Sequence, residues 1–149
     1  MKRKAMNSTF SRISMAKDMK DKELKFWTKQ PGNCFLVASL SSDPDKVVGC
    51  VAYKSLGSDT VEVNRMSVAR DFRRLGVGRK LMETVLEQAK QGGYSRVYLT
   101  TSNGQETAIK LYRKMGFIEI GRVGLELPIS KYLVPINGLQ VFEFLYKLE

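Results

Sequence analysis

The chain has 149 residues, of which 43% are hydrophobic and 27% are charged, an ordinary composition for one globular domain. It contains no histidine and two cysteines, which excludes Ser-His-Asp and Cys-His enzymes and leaves too few ligands for a zinc site. Any catalysis must therefore use carboxylates, tyrosine, backbone groups or a borrowed cofactor. The net charge of +10 suits a polyphosphate ligand, nucleic acid or an anionic membrane, or simply gives a solvated basic surface.

Lysine and arginine are frequent in residues 1–25. Residues 1–14 are polar, so we expect a mobile basic tail that can associate weakly with an anionic membrane, followed by one domain over 15–149. Apolar residues at helical spacing in 15–29, ended by Pro31-Gly32, predict a short amphipathic helix. No apolar run approaches the ~20 residues that span a bilayer, and no signal peptide is evident. We therefore expect an intracellular, cytoplasmic chain.

Three extended segments follow the predicted helix. They lie at 34–40, 47–53 and 60–68, and short polar turns separate them. This pattern predicts an antiparallel meander of three strands. Cys34 and Cys50 lie within these apolar stretches, which favours reduced, buried thiols over a disulfide.

The hydrophobic period changes after Gly76. Apolar residues then recur every four positions until Gly92-Gly93, which predicts a helix of about four turns. The next segments predict a strand at 96–102, a second amphipathic helix at 104–115, and two strands at 117–123 and 139–148. The order predicts a mixed α+β domain.

A Gly-x-Gly sequence in a basic setting begins the first of these two helices. The opening turn of a helix has unpaired N–H groups and a partial positive charge. Gly76 and Gly78 would let an anion approach the backbone, and Arg73, Arg74 and Arg79 would supply further donors. The stretch predicts a pyrophosphate-binding turn, although a tight turn with a solvated basic rim is the alternative. A Walker A loop and a Rossmann turn do not fit, because their remaining motif residues are absent.

The two helices together carry a more specific pattern. The first begins with Arg73-x-x-Gly76-x-Gly78, and the second reads Ala108-x-x-x-Tyr112-x-x-x-Gly116-Phe117. In this order and spacing, residues 47–123 resemble the GNAT superfamily of acetyl-CoA-dependent N-acetyltransferases. The stretch VNRMSVARDFRRLGVGRKL looks like the camello-like, N-acetyltransferase 8-type subgroup.

The resemblance implies the GNAT fold, a mixed, mostly antiparallel sheet with helices on both faces. The superfamily usually has a strand and two helices before the meander, whereas here only about one helix fits, so we expect an abbreviated N-terminal part. The chain is then a natural short form or a piece of a longer protein. In camello-like proteins the missing region carries a membrane anchor, which would place a longer parent at the endoplasmic reticulum membrane.

The resemblance also implies where acetyl-CoA binds as co-substrate, with no metal. The turn would hold the pyrophosphate, the edge of the strand over 65–68 would pair with the pantetheine arm, and the N–H of Met66 would face the thioester oxygen. Gln105 occupies a position where many members have asparagine. The implied cofactor-binding residues are Met66, Ser67, Val68, Arg73, Arg74, Leu75, Gly76, Val77, Gly78, Arg79, Gln105, Ala108 and Tyr112.

The implied reaction is acetyl transfer to a primary amine by direct attack in a ternary complex. Glu62, expected on one strand face with Asn64 and Met66, would be the base, or else it is an exposed strand glutamate. Tyr112 would protonate the departing thiolate, because a phenol pKa near ~10 is close to that of a thiol; the alternative is a core tyrosine. Segment 124–138, with Tyr132, would help to form the acceptor pocket, or Tyr132 only anchors a loop.

The resemblance suggests a cysteine S-conjugate or a lysine side chain as the acceptor. Two other functions stay open. The first is a non-catalytic CoA-binding or interaction domain of the same fold. The second is nucleic-acid binding, which the sequence disfavours because its aromatic residues follow core patterns. The oligomeric state has no signal in the sequence.

Overall fold

The computed structural model describes the backbone of residues 12–15, 26–27, 29–129 and 132–149, and the side chains of 26–27, 29–122 and 140–149. The chain divides into two compact units, 1–97 with 148–149 and 98–147. The strands are β1 (Arg12–Met15), β2 (Cys34–Ser39), β3 (Val47–Leu56), β4 (Thr60–Val68), β5 (Arg96–Ser102), β6 (Ile118–Ile129) and β7 (Tyr132–Lys147). The helices are α1 (Val77–Gln91) and α2 (Glu106–Lys114), and a short 3-10 turn spans Arg70–Phe72.

The first unit contains the predicted meander. Its strands pair antiparallel in the order β1-β2-β3-β4. Strand β1 was not expected, because its four residues follow a polar, basic segment and are too few to mark a strand by themselves; pairing with β2 stabilises it. The expected domain start at residue 15 therefore falls within a strand. Of the predicted helix over 15–29, residues 26, 27 and 29 are helical, Met15 lies in β1, and 16–25 and 28 lie outside the described residues.

Helix α1 packs on one face of this sheet. Its apolar stripe is fully buried, and a Cβ placed on Gly49 of β3 would lie 2.9 Å from Val77 Cγ1. The helix start therefore lies directly against β3, at a distance that glycine alone allows. Further along the helix, the carboxamide oxygen of Gln88 accepts from the Tyr53 hydroxyl at 3.0 Å and from the Cys34 thiol at 3.6 Å. These bonds satisfy polar groups between helix and sheet.

The opposite face of the meander has its own apolar cluster. Trp27, Phe35 and Ala52 are buried there, with Val37 and Cys50 packed against them. Both cysteines are free thiols, as predicted, and burial raises the pKa of each. Cys34 is buried, whereas Cys50 is only half-buried. Glu62 and Asn64, half-buried polar residues of β4, extend this second face.

The second unit consists of most of β5, helix α2 and a long hairpin, with strand order β5-β7-β6. Its core contains Ile109 and Tyr112 of α2 and Phe144 of β7. The loop expected over 124–138 is wrong: β6 and β7 pair from Ile118–Leu145 to Ile129–Tyr132. Proline and glycine in this segment suggested a loop. Pro128 lies on β6, the outer strand of this order, and an edge strand tolerates proline because one side of it needs no ladder hydrogen bond. The Tyr132 side chain lies outside those described.

Candidate functional site

Strand β4 contains a β-bulge beside its predicted cofactor-binding edge. The register against β3 shifts after Asn64, so that Val51 alone lies opposite Arg65 and Met66. Arg65 has φ 56°, in the left-handed region that non-glycine residues rarely adopt. The Cys50 thiol donates to the Arg65 carbonyl at 3.4 Å. The bulge bends β4 and resets the alternation of its side chains.

The bulge decides which side chains share the face of the candidate base. Glu62, Asn64 and Ser67 lie opposite alternate residues of β3 and therefore occupy one face. The expectation that Met66 follows Asn64 on this face is wrong, because the inserted residue moves Ser67 into that position. Their partners on β3 are Lys54, Ala52 and Cys50.

The turn before α1 contains two left-handed residues, Arg74 at φ 61° and Gly76 at φ 88°. The Gly76 carbonyl accepts the first helical hydrogen bond, from the Lys80 N–H at 3.0 Å. The N–H groups of 77–79 precede this bond and have no acceptor within the helix. No described side chain caps the helix, and beyond its chain neighbours no described atom lies within 4 Å of a Cβ built on Gly76. Described side chains therefore leave the space at this turn empty. The unpaired N–H groups of 77–79 and this space suit a diphosphate.

The charges around the turn are basic. The first turn of α1 contains no acidic residue, and the Arg74 and Lys80 side chains are exposed. Arg79 Nε lies 3.0 Å from Glu83 Oε1, in an exposed pair one turn apart. Such pairs contribute only about 0.3–0.5 kcal/mol, so a diphosphate, which carries two negative charges, can compete for Arg79. The helix dipole adds to the attraction for an anion.

Arg73 connects the turn to the end of β4. Its Nε donates to the Val68 carbonyl at 3.0 Å. Because the Ala69 N–H donates to Val48 of β3, strand alternation directs the peptide groups of Val68 away from β3. The Val68 carbonyl, which lies where β4 is predicted to pair with the pantetheine arm, therefore accepts a hydrogen bond from Arg73. Arginine has five N–H donors, so the other donors of Arg73 can still serve a phosphate.

Glu62, the predicted base, forms an ion pair with a residue that the sequence reasoning missed. Lys54 Nζ lies 2.9 Å from Glu62 Oε2, and the two residues are cross-strand partners. The side chains are 35% and 19% exposed, respectively, so both are partly desolvated. The Asn64 side chain donates to the Glu62 carbonyl at 3.2 Å. The predicted strand over 47–53 ends before Lys54, whereas β3 continues to Leu56. A strand predicted to that length would have placed Lys54 opposite Glu62, because the short turn between β3 and β4 sets their register.

Tyr112, in the second unit, is a buried residue of α2. Its ring lies 5.7 Å from that of Phe117 and 6.1 Å from that of Phe144. Desolvation raises the pKa of Tyr112 to about 12, so the expected value near 10 is wrong. Within the described residues its hydroxyl has no hydrogen-bond partner. The phenol is therefore protonated at neutral pH, as a proton donor must be, although it is a weaker acid than predicted.

Two further predicted residues lie at the start of α2. Gln105 is the N-cap, and its side chain makes no capping hydrogen bond. Ala108 is half-buried and lies one turn before Tyr112, so these two share a helix face as predicted. The predicted residues of the first unit are buried (Val77), half-buried (Glu62, Met66, Val68, Leu75, Gly78) or exposed (Ser67, Arg73, Arg74, Gly76, Arg79).

Among the described residues, no cluster of three or more cysteine, aspartate or glutamate side chains could hold a metal ion. In the same part of the chain, no helix has the length and apolar character that a bilayer crossing requires.

The chain belongs to the acetyltransferase (GNAT) family, whose pattern its residues 3–117 match. The predicted GNAT fold is confirmed by solved structures. A GNAT family acetyltransferase from Elizabethkingia anophelis with acetyl-CoA bound superposes with a TM-score of 0.67 at 17% identity, covering 93% of this chain and 99% of that one.

Curated relatives confirm the camello-like resemblance. The chain is 40% identical over 105 residues to the Xenopus tropicalis protein named "Probable N-acetyltransferase camello", covering 69% of this chain and 46% of that protein. It is 42% identical over 107 residues to N-acetylaspartate synthetase of the same organism, covering 71% of this chain and 38% of the relative. The chain thus spans less than half the length of these relatives.

Proposed function

We propose that this domain transfers the acetyl group of acetyl-CoA to a primary amine by direct attack in a ternary complex. The observation that carries the proposal is the turn at Gly76, which described side chains leave unfilled and which has unpaired N–H groups in a basic setting. Family membership and relatives named as N-acetyltransferases support it. Acetyl-CoA would supply an activated thioester, and the protein would supply positioning and proton transfer.

The first unit would bind the cofactor. The N–H groups of 77–79 and the guanidinium groups of Arg73, Arg74 and Arg79 would bind the diphosphate. The part of β4 after the bulge would pair with the amides of the pantetheine arm, with Arg73 covering the Val68 carbonyl. The Met66 N–H would stabilise negative charge on the thioester oxygen. In the second unit, Gln105 and Ala108 would contact the cofactor from α2.

Two side chains would move protons. Glu62 would take a proton from the acceptor ammonium, directly or through water, because an amine needs its lone pair to attack. Lys54 would hold the Glu62 carboxylate in place through their 2.9 Å ion pair. Tyr112 would give its proton to the departing thiolate. Its hydroxyl is reliably protonated because burial disfavours the charged form.

The acceptor we propose is a small amino compound such as a cysteine S-conjugate, with a lysine side chain as the second candidate. The relative named N-acetylaspartate synthetase is named for an N-acetylated amino acid, which favours the small acceptor. Any association of residues 1–25 with an anionic membrane would be independent of this chemistry.

The test is amine-dependent release of free CoA thiol from acetyl-CoA, measured with a panel of cysteine conjugates, amino acids and lysine peptides. Tyr112→Phe and Glu62→Gln should each slow turnover by about 100-fold or more, because general acid–base catalysis contributes at least that factor. Both variants should bind acetyl-CoA as tightly as the wild type does in calorimetry. Tight binding with no thiol release for any amine would instead favour the rival reading, a non-catalytic CoA-binding or interaction domain.

A further inference from the structure

The cross-strand pair of Lys54 and Glu62 places opposite charges side by side next to the proposed base. Nζ and Oε2 are 2.9 Å apart, and both side chains remain partly exposed. The other residues in register on this face of β2, β3 and β4 are uncharged; those around the pair include Phe35, Val37, Cys50, Ala52, Leu56, Thr60, Asn64 and Ser67. In these described registers, Lys54 is therefore the cation beside the Glu62 carboxylate.

This arrangement is complementary to one chemical class of acceptor. An α-amino acid carries its ammonium and its carboxylate on the same carbon, so the two charges are adjacent, as they are in the Lys54–Glu62 pair. Partly exposed ion pairs contribute little to stability, so the pair can open to admit a second pair of charges at low cost. A carboxylate that accepts from a lysine ammonium forms a charge-assisted hydrogen bond, which is among the stronger ones.

We propose that Lys54 is a specificity-determining residue that binds the α-carboxylate of the acceptor while Glu62 binds the acceptor's amine. The inference rests on the proposed function and narrows its substrate class to amines with an adjacent anionic group. Lys54 then has two effects. It positions the Glu62 carboxylate through their ion pair, which affects every amine equally, and it attracts the acceptor carboxylate, which affects only amino acids.

A ratio of rates separates these two effects. Two matched pairs of acceptors differ by the α-carboxylate alone: S-benzyl-L-cysteine with S-benzylcysteamine, and L-aspartate with β-alanine. For each pair, kcat/KM is measured by thiol release with the wild type, Lys54→Met and Lys54→Arg. Lys90→Met, which changes an exposed lysine in the last turn of α1, is the matched control.

In Lys54→Met, the ratio of kcat/KM for the carboxylate-bearing acceptor to that for its partner should fall by about tenfold or more, because one charge-assisted hydrogen bond is lost. The fall should appear mainly in KM. Any change in the position of the Glu62 carboxylate affects both acceptors of a pair and therefore cancels in the ratio. The difference in amine basicity between the two acceptors is the same for every variant, so it cancels when the ratios of variant and wild type are compared. Lys54→Arg should retain most of the ratio, and Lys90→Met should retain all of it.

The inference would be overturned if the kcat/KM ratio of Lys54→Met stayed within about twofold of the wild-type ratio, because the loss of one charge-assisted hydrogen bond should change it by more. The proposed function would remain intact. Absence of thiol release with every acceptor in the wild type would overturn the proposed function, and the inference with it. If Lys54→Met does not fold, as judged by its melting transition, the same ratio measured in Lys54→Gln decides.

Discussion

Burial sets the chemistry of the Tyr112 hydroxyl. The side chain is 5% exposed in the second unit, and desolvation raises its pKa to about 12. Transfer of its proton to a thiolate is therefore less favourable than transfer from a free phenol. The compensating advantage is that the donor stays protonated through the physiological range, so Tyr112 should add no descending limb to the rate profile between about pH 7 and 10.

The same raised pKa predicts a pH dependence of stability. Below about pH 10 the hydroxyl is neutral in both states and contributes no pH dependence; between about 10 and 12 only the unfolded state ionises, so stability falls as pH rises. Melting temperatures of wild type and Tyr112→Phe, measured from pH 8 to 11.5, should show a wild-type decline above pH 10 that the variant partly loses. Parallel curves across this range would contradict the raised pKa.

Gly76 allows a second test at the residue scale. Its φ of 88° strains any residue with a Cβ, so Gly76→Ala should lose about 1–2 kcal/mol of stability. The new methyl group would also lie in the unfilled turn and should weaken acetyl-CoA binding by about tenfold, the equivalent of about 1.4 kcal/mol. Denaturant titration and calorimetry measure the two effects.

Gly57 supplies the matched control for this change. It lies in the turn between β3 and β4 at φ 77°, and it too has no described atom within 4 Å of a built Cβ. Gly57→Ala should therefore lose comparable stability and keep its affinity for acetyl-CoA. Equal affinity losses in the two variants would mean that the turn at Gly76 has no special part in binding.

At the scale of elements, the position of α1 depends on its contact with β3. A Cβ on Gly49 would lie 2.9 Å from Val77 and 3.1 Å from Leu81, both buried residues of α1. Gly49→Ala should push the first turn of the helix outward and lose about 1–3 kcal/mol by overpacking. Because this turn carries the unpaired N–H groups, affinity for acetyl-CoA should fall as well.

The control for Gly49→Ala is Gly104→Ala, because the nearest atom to a Cβ there is 3.9 Å away. Denaturant midpoints and binding isotherms for the two variants separate the clash from the general effect of replacing glycine. A stable Gly49→Ala protein with unchanged affinity would show that α1 adjusts without moving its first turn.

The elements that could be predicted are those whose own residues determine them. Strands over 60–68 and 96–102 were predicted at their observed bounds, because alternation or an apolar run defines each one locally. Strand β1 and the long hairpin could not be predicted, since pairing with a distant partner stabilises them and their proline, glycine and basic residues suggest loops. The bulge at Arg65 could not be predicted either, because it arises from the pairing of β4 with β3.

At the scale of the whole molecule, linked motifs were more informative than composition. The glycine-rich turn and the Tyr112 helix together predicted the fold and the family, whereas the net charge alone left nucleic acid and membranes open. The diphosphate-binding role of the turn could be predicted because the N–H groups at the start of a helix are unpaired and attract anions. Lys54 was missed because its relation to Glu62 depends on strand register, which is set by pairing between segments.

The whole molecule should be stabilised by acetyl-CoA if the turn binds its diphosphate. A ligand at about 100 times its Kd adds about 2.7 kcal/mol to the stability of the folded state, which for a chain of this size raises the melting temperature by about 5–10 °C. S-acetylpantetheine, which lacks the diphosphate, should give a much smaller shift at the same concentration. Because the diphosphate is held by charge, added salt should reduce the shift caused by acetyl-CoA more than the shift caused by the short analogue. Equal shifts with the two compounds would place the binding energy in the pantetheine arm and remove the basis for a diphosphate site at Gly76.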